Sequence, residues 1–345
     1  MYTKERLLDF FKEIYADKSK LIIGEEMSNY HEMVSKTLER FKKNTGKYPG
    51  ILGLDIRYAN LHSLGEKGIA NVVKELTEYA EKGGIITASA HMSNPLNDNI
   101  EKHDYRGVLG FDNEWKQLYT KGTKINEVFT RELSHMADFL EALKKNGVPV
   151  IWRPLHEANG NWFWFCITHK DADGNNVHVS EEIYINVWKY IYNYFTEERG
   201  LDNLLWEYGP NIVGDAAADM KGGMTPVLYG YPGEYCDLVG FDWYSGGNYE
   251  IADNSAYKQL ASTGKPFAFA EWGGPRAKLD EGQKQEDVFT AEDMLGIIRR
   301  LAEDGYSATY LMTWTSPGTI NEMTKGDVLM NADGILGMED VAKKI

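Results

Sequence analysis

The stretch VPVIWRPLHEANGNWFWF, residues 148–165, joins an apolar run to a cluster of charged and aromatic side chains. Residues 148–152 have the composition of a buried strand, and Arg153, His156 and Glu157 follow it closely. Two tryptophans and two phenylalanines come within the next eight residues. Because burying unpaired charge is costly, this pattern is more typical of a strand that ends at a polar site than of a charged patch inside a core.

Similar apolar, β-branched runs recur along the chain, with helical patterns between them. They are centred near residues 22, 54, 87, 151, 206, 240, 268 and 311. Near-continuous hydrophobic strands are expected where a parallel sheet is covered on both faces. Eight strands alternating with helices over 345 residues predict an α/β fold of the (β/α)8 TIM-barrel type, in preference to an open doubly wound sheet. No shift in composition or Pro/Ser-rich linker divides the chain, so we expect one catalytic domain over 1–345.

Three of the segments between strands carry clear helix signals. Residues 126–147 place apolar side chains along one side and end at a glycine. Residues 180–200 begin with serine and two glutamates and end at a glycine. Residues 290–305 begin with Thr290 and Asp293, a capping-box pattern. The longer inserts at about 98–124 and 166–180 are expected to form loops on the substrate side.

Composition and charge exclude several classes of function. The chain is 43% hydrophobic and 26% charged, so it can bury a large core. Its net charge of −15 argues against nucleic acid or an anionic membrane as partner. No apolar run approaches the ~20 residues of a membrane span. The first 20 residues predict an amphipathic helix and not a signal peptide, so we expect an exported protein to have lost its leader.

Cofactor and metal motifs are absent from the sequence. There is no zinc spacing, Walker loop, Gly-x-Ser-x-Gly elbow or dinucleotide fingerprint, so no cofactor is expected. The segment HEANG lacks the second histidine of a zincin, because its fifth residue is Gly160. A metal held by His91, His156 and carboxylates stays open as an alternative. Cys166 and Cys236 are more typical of buried free thiols than of a disulfide.

Polar residues stand at the carboxyl end of nearly every predicted strand. Chemistry in a (β/α)8 barrel lies at that end, so together these residues indicate a site. A single strand-end glutamate is more often solvated or ion-paired, and we interpret Glu25 and Glu207 as salt-bridge or orienting groups. The strand-end set, in chain order, is Glu25, Glu26, Asp55, Arg57, His91, Arg153, His156, Glu157, Glu207, Asp242, Tyr244, Glu271 and Trp314.

The aromatic run at 162–165 directly follows the His-Glu pair of the fourth strand. Such rings suit carbohydrate, because the flat CH-rich faces of sugars stack on tryptophan and tyrosine. An acidic barrel mouth without a metal favours chemistry by paired carboxylates. For Phe163 and Trp164, packing beneath the site is as good an interpretation as contact with sugar.

The sequence resembles glycoside hydrolase family 26, best known for β-mannanases. The resemblance is carried by IWRPLHEANGNWFWF at the fourth strand, GFDWY at the sixth, FAEWGG at the seventh, GGIITASAHMSNP at the third and TW at the eighth. It implies a (β/α)8 enzyme that hydrolyses internal β-1,4 bonds of a β-mannan polysaccharide. It also implies retention of configuration by two glutamates. Because such polymers are too large to enter a cell, we expect a secreted enzyme, and we expect it to be a monomer.

The resemblance assigns roles to residues at matching positions. Glu157 is implied to be the acid/base and Glu271 the nucleophile. Apart from the resemblance, Arg153 is a candidate orienting group, and an ion pair inside the barrel is an equally good interpretation of it. The implied or candidate substrate-binding residues are His91, His156, Trp162, Phe163, Asp242, Tyr244 and Trp314. The chain departs from the family at Ala90, Ala158 and Phe165, where larger or different side chains are common. We expect these changes to reshape the sugar-binding walls.

Alternatives remain for the function. A β-1,3-1,4-glucanase or a xylanase would share the fold, a non-catalytic carbohydrate-binding barrel would share the aromatic walls, and a metal-dependent hydrolase would share the acidic mouth. In favour of catalysis, both carboxylates are present.

At ~5.5 Å and an effective dielectric of about 20, two carboxylates repel by about 3 kcal/mol, roughly two pKa units. We therefore predict that repulsion keeps Glu157 protonated near neutral pH while Glu271 is ionised. Arg153, His156 and Tyr244 are candidates to align Glu271.

Overall fold

Eight parallel strands close into a barrel. The computed structural model describes residues 1–27, 33–97, 100–102, 104–213, 224–244, 255–273, 289–314 and 319–345. The barrel strands are β1 (Leu21–Glu26), β2 (Ile51–Asp55), β3 (Ile85–Ser89), β4 (Val150–Arg153), β5 (Leu204–Tyr208), β6 (Leu238–Tyr244), β7 (Phe267–Gly273) and β8 (Tyr310–Thr313). Each pairs with the next, and β8 pairs with β1. The predicted (β/α)8 barrel is confirmed.

Helices connect the strands on the outside. In the described part they are α1 (Lys4–Ala16), α2 (Val34–Thr45), α3 (Tyr58–Glu81), α4 (Asp112–Leu118), α5 (Lys124–Lys145), α6 (Glu181–Asn193), α7 (Ser255–Ala261), α8 (Ala291–Glu303), α9 (Gly326–Met330) and α10 (Met338–Val341). The three predicted helices are α5, α6 and α8. The capping box of Thr290 and Asp293 is present, and α6 continues into a π-helical turn at Tyr194–Glu198.

The first helix explains why one end of the barrel is available for a site. Leu7, Phe10, Phe11 and Ile14 of α1 share one buried cluster with the first or second residue of every barrel strand. Those strand residues are Ile22, Ile51, Ile85, Ile151, Leu205, Leu238, Ala268 and Tyr310. Because this layer lies at the amino-terminal ends of the strands, α1 covers that end and leaves the carboxyl end for chemistry.

The insert after β4 is a β-hairpin. Its strands, Thr168–Lys170 and Asn176–His178, pair antiparallel within the region predicted as a long loop. The backbone N–H of Ile167 donates to the carbonyl of Ala158 over 2.7 Å, which ties the base of the hairpin to the segment after β4. The hairpin therefore has a fixed position beside the barrel mouth.

Two further expectations concern the whole described chain. Cys166 and Cys236 are both buried and free, as predicted. No helix within the described residues is long and apolar enough to cross a membrane.

Close packing inside the barrel generates a stability prediction. A Cβ at Gly53 on β2 would lie 2.0 Å from Glu26 Oε2 and 2.5 Å from Met312 Sδ. We expect Gly53→Ala to lower the free energy of unfolding by about 1–3 kcal/mol because the interior cannot expand freely. Urea titration measures this. The control is Gly296→Ala on α8, where the nearest atom lies 4.0 Å away and a gain of up to ~1 kcal/mol is expected. Equal effects of the two changes would contradict this explanation.

Candidate active site

Three strands bring three carboxylates together at the carboxyl end of the barrel. One carboxylate oxygen from each of Glu157, Asp242 and Glu271 lies within 4.8 Å of the other two. All three residues are buried, with exposed fractions of 7%, 0% and 3%. Carboxyl pairs that act as nucleophile and acid lie about 5–5.5 Å apart, whereas inverting pairs are separated by about 6.5–9.5 Å. The spacing of Glu157 and Glu271 therefore fits the first geometry.

A strained turn places Glu157. Leu155 and Glu157 have φ values of 52° and 58°, in the left-handed region that costs an ordinary residue about 1–2 kcal/mol. The backbone N–H of Glu157 donates to the carbonyl of Gly209 over 2.7 Å, which secures the turn against the segment after β5. Such strain persists only where surrounding contacts stabilise it, and it concentrates at functional sites.

A β-bulge places Glu271. Phe269 on β7 pairs with Phe241 on β6, but the next pair joins Glu271 to Asp242, so that β7 contains one extra residue. Residues in register on neighbouring strands share a face of the sheet. The bulge therefore puts the carboxylate of Glu271 on the same face as that of Asp242. Bulges commonly redirect side chains next to active sites.

Arg153 joins the two carboxylates of β6 and β7. Its Nη1 donates to both oxygens of Asp242, over 2.6 and 2.8 Å, and its Nη2 donates to Glu271 Oε1. The hydroxyl of Tyr244 donates to Glu271 Oε2 over 2.7 Å. Glu271 thus has a donor on each oxygen, a suitable arrangement for an aligned carboxylate. Asp242, expected to contact sugar, is fully buried and engaged with Arg153.

Glu157 has different neighbours. Trp162 Nε1 donates to Glu157 Oε2 over 2.6 Å, and Asn211 Nδ2 donates to Oε1. Burial, and after it the charge of Glu271, raises the pKa of Glu157 to about 7, although both hydrogen bonds act in the opposite direction. Repulsion between the carboxylates therefore contributes as predicted, but burial is the larger cause. Asn211 lies just beyond β5 and is not among the site residues predicted from the sequence.

The two histidines contact each other. His91 Nε2 and His156 Nε2 are 3.3 Å apart, and His91 Nδ1 lies 2.9 Å from Asp55 Oδ2. His156 is fully buried and, among the described contacts, is bonded to His91 and not to Glu271. Of the three residues expected to align Glu271, the structure thus brings Arg153 and Tyr244 to it.

Aromatic rings form the walls of the site. Phe163 meets the ring of His91 edge-on at 4.9 Å, and the ring of Trp314 lies 6.0 Å from that of His91. Trp162 and Trp314 are half-buried, so each keeps surface for a ligand. Trp164 is fully buried, and its Nε1 donates to the carbonyl of Met92 over 2.7 Å, which supports the packing interpretation.

The positions that depart from the family pattern lie deeper than expected. Ala90, Ala158 and Phe165 are all buried. These three residues can therefore affect which sugar binds only through the side chains that pack against them. Phe165, for example, lies 5.0 Å from the ring of Phe163.

Glu25 and Glu207 are buried inside the barrel and are not solvated. Glu25 accepts a hydrogen bond from the hydroxyl of Thr313, and burial raises the pKa of Glu25 to about 8. Glu207 accepts from the hydroxyl of Tyr310, and burial raises its pKa to about 7. Both glutamates belong to the packed interior below the site.

A metal ion is an alternative occupant of the carboxylate cluster. Glu157, Asp242 and Glu271 offer three oxygens at a spacing that a cation could use. However, the guanidinium of Arg153 already supplies positive charge to two of them. A cation would have to displace Arg153 or share its partners, so these residues suit a metal-free site better.

The family model of glycosyl hydrolase family 26 matches residues 1–294. The chain belongs to this family. The mannan endo-1,4-beta-mannosidase of Bacillus subtilis is 33% identical over 279 residues, which cover 80% of this chain and 69% of the relative. Mannan endo-1,4-beta-mannosidase A and B of Caldalkalibacillus mannanilyticus is 31% identical over 285 residues, which cover 80% of this chain and 51% of that relative. The chain thus spans between about half and two thirds of the length of these relatives.

One solved structure and one further relative are also similar to the chain. The structure of a Bacillus subtilis mannanase superposes with a TM-score of 0.74 at 24% identity, covering 98% of this chain and 93% of that one, which shows the shared fold. Endoglucanase H of Acetivibrio thermocellus is 31% identical over 182 residues, or 48% of this chain and 18% of that relative.

The hydrogen bond from Trp162 generates a pH prediction. Its indole favours the ionised form of Glu157, so Trp162→Phe should raise the pKa of Glu157. The protonated acid would then persist to higher pH. We expect the basic limb of the kcat/KM profile to move up by roughly one pH unit, since a hydrogen bond to a charged group contributes about 1.5 kcal/mol.

The matched control is Trp314→Phe, which removes an indole whose ring lies 6.0 Å from that of His91 and which is not among the described donors to Glu157. It should lower kcat/KM without moving the basic limb. A shift of the same size in both variants would rule out the Trp162 bond as the cause.

Proposed function

We propose that the chain is a retaining endo-β-1,4-mannanase that cleaves internal bonds of mannan, glucomannan or galactomannan. The observation that carries this proposal is the pair Glu157 and Glu271, whose oxygens approach within 4.8 Å while their hydrogen-bond partners differ. The relatives named mannan endo-1,4-beta-mannosidase support the substrate class.

In the first step Glu157 donates its proton to the leaving oxygen while a carboxylate oxygen of Glu271 attacks the anomeric carbon. The C–O bond to the leaving sugar breaks, and a covalent glycosyl-enzyme forms. Esterified Glu271 carries no charge, so one cause of the raised pKa of Glu157 disappears. Glu157 then removes a proton from water, which attacks the anomeric carbon and releases Glu271.

Arg153 and Tyr244 align the nucleophile, because each donates to one oxygen of Glu271. Asp242 balances the charge of Arg153 and fixes its guanidinium. His91 is partly exposed, whereas His156 is fully buried. His91 is therefore the better placed of the two to reach a sugar hydroxyl.

Trp162 and Trp314 are the proposed stacking surfaces for sugars on either side of the cleaved bond. A cavity of about 240 Å³ borders Trp162, with Val108, His169 and Asn176 among its other walls. Since Trp162 contacts the proton donor, this cavity suits the sugar on the leaving side.

A second candidate function is a β-1,3-1,4-glucanase. The similarity to endoglucanase H over about half of the chain favours it. A panel of mannan, glucomannan, galactomannan, lichenan and xylan separates the two, because kcat/KM should be highest on a mannan-type polymer. Preference for lichenan or xylan would replace the proposed substrate but keep the carboxylate chemistry. Because such polymers are too large to enter a cell, we also propose that the enzyme is secreted.

Removing the nucleophile should abolish hydrolysis. We expect Glu271→Ala to lower kcat on mannan by roughly 10⁴-fold or more, because no covalent intermediate can form. Circular dichroism should show an intact fold. Substantial activity in a folded Glu271→Ala protein would refute the nucleophile assignment.

Removing the acid should have an effect that depends on the leaving group. Glu157→Ala should lower kcat/KM on mannan by about 10²–10⁴-fold. An aryl β-mannoside with an acidic phenol needs no protonation, so its release in the first step should fall far less. Phenol release and reducing ends are measured with the same protein preparation. Equal losses on both substrates would argue against Glu157 as proton donor.

A further inference from the structure

Asp55, at the end of β2, is a buried carboxylate with every acceptor position used. Its Oδ1 accepts from the backbone N–H groups of Arg57 and His91 over 3.1 and 3.2 Å. Its Oδ2 lies 3.0 Å from Arg57 Nη1 and 2.9 Å from His91 Nδ1. Burial alone would raise the pKa of Asp55, but the charge and hydrogen bond of His91, together with the charge and backbone N–H of Arg57, outweigh burial and lower it. Asp55 is therefore ionised and can only accept.

The acceptor character of Asp55 determines the protonation of His91. Because a carboxylate donates nothing, the proton between the two groups belongs to His91 Nδ1. The other nitrogen, Nε2, faces His156 Nε2 across 3.3 Å. Burial alone would lower the pKa of His91, but the charge and hydrogen bond of Asp55, followed by the charges of Glu271 and Glu157, raise it overall. His91 thus retains a proton on both nitrogens to higher pH than an ordinary histidine.

His156 is the neutral partner. Burial, together with the charges of His91 and Arg153, holds the pKa of His156 well below its usual value. Its Nδ1 has no hydrogen-bond partner in the described part of the chain. The contact with His91 is therefore the polar contact that orients the ring of His156, which directly precedes Glu157 in the chain.

The ring of His91 is held by aromatic neighbours as well. It meets His156, Phe163 and Tyr105 edge-on, with ring centres at 4.6, 4.9 and 5.5 Å. Aromatic contacts fix the plane of a ring, but they do not distinguish its two nitrogens. The hydrogen bond that His91 Nδ1 donates to Asp55 makes that distinction.

We propose that Asp55 is a positioning residue of the active site, which holds His91 as an Nδ1-protonated cation facing Glu157 and Glu271 and bonded to His156. This role in catalysis rests on the function proposed above. The charged groups that act on His91 are Asp55 on β2, Glu157 after β4 and Glu271 on β7, while Arg57 is paired with Asp55.

The consequence for catalysis is electrostatic. The charge of His91 is one of the influences that lower the pKa of Glu157, against burial and the charge of Glu271. Asp55→Asn keeps the shape of the side chain but removes the charge that stabilises the His91 cation. The cation would then be lost at lower pH, and the pKa of Glu157 would rise.

The first test is direct observation of the imidazole nitrogens. ¹H–¹⁵N NMR of the whole protein, with His91 assigned through His91→Gln, reports which nitrogens carry protons as pH changes. We expect Nδ1 of His91 to be protonated throughout, and Asp55→Asn to lower the pH of the His91 titration by about one unit or more. An unprotonated Nδ1 in the unchanged protein, or an unmoved titration in Asp55→Asn, would overturn the proposal.

The second test is kinetic. Asp55→Asn should lower kcat on mannan about 10- to 100-fold, with a smaller change in KM, and move the basic limb of kcat/KM to higher pH. In a His91→Gln background, adding Asp55→Asn should change kcat by less than about twofold, because the two residues act in series. If the losses of kcat from the two substitutions add in full in the double variant, Asp55 acts independently of His91, which would overturn the proposal.

The matched control is Glu132→Gln on α5. Glu132 is also a buried carboxylate, and its two oxygens accept from the backbone N–H of Ser93 over 3.1 and 2.9 Å. This change should leave the His91 titration and the pH profile in place; movement of either would overturn the assignment to Asp55. The NMR result does not depend on turnover, so failure of the proposed mannanase activity and failure of the Asp55 role are distinguishable.

Discussion

The guanidinium of Arg153 is the constraint on which the active site depends. It lies at the end of β4, fully buried, and holds Asp242 of β6 and Glu271 of β7 through separate nitrogens. Removing one member of such a buried ion pair typically costs 3–5 kcal/mol, because an uncompensated charge is left behind. The attraction thus fixes the relative positions of three strand ends, and the β7 bulge and the turn at Glu157 are arranged around it.

The same arrangement separates the two glutamates chemically. Glu271 receives a cationic and a phenolic donor, whereas Glu157 is buried and receives an indole and an amide donor. Burial therefore keeps a proton on Glu157 near neutral pH. A reversible loss of charge on Glu271 would switch Glu157 between the roles of acid and base. One fixed scaffold can thus support both steps of a double displacement without moving either side chain far.

Much of this could be predicted from residue order alone. The eight strands were evident because buried parallel strands are continuous apolar runs, and Glu157 and Glu271 were found because each follows such a run. The bulge between Phe269 and Glu271 could not be predicted, because an extra residue within an apolar strand does not change the apolar pattern of the sequence. Likewise, Leu155 and Glu157 are not residues that favour positive φ, and the contacts of Asn211 and Asp55 join segments far apart in the chain.

The central claim is that two glutamates of unlike environment perform a double displacement. The most direct measurement follows the anomeric protons of the first product by NMR immediately after enzyme is added to mannan, before mutarotation equilibrates them. The account predicts that the β-anomer appears first, because two successive inversions at the anomeric carbon restore the original configuration. Initial formation of the α-anomer would contradict it.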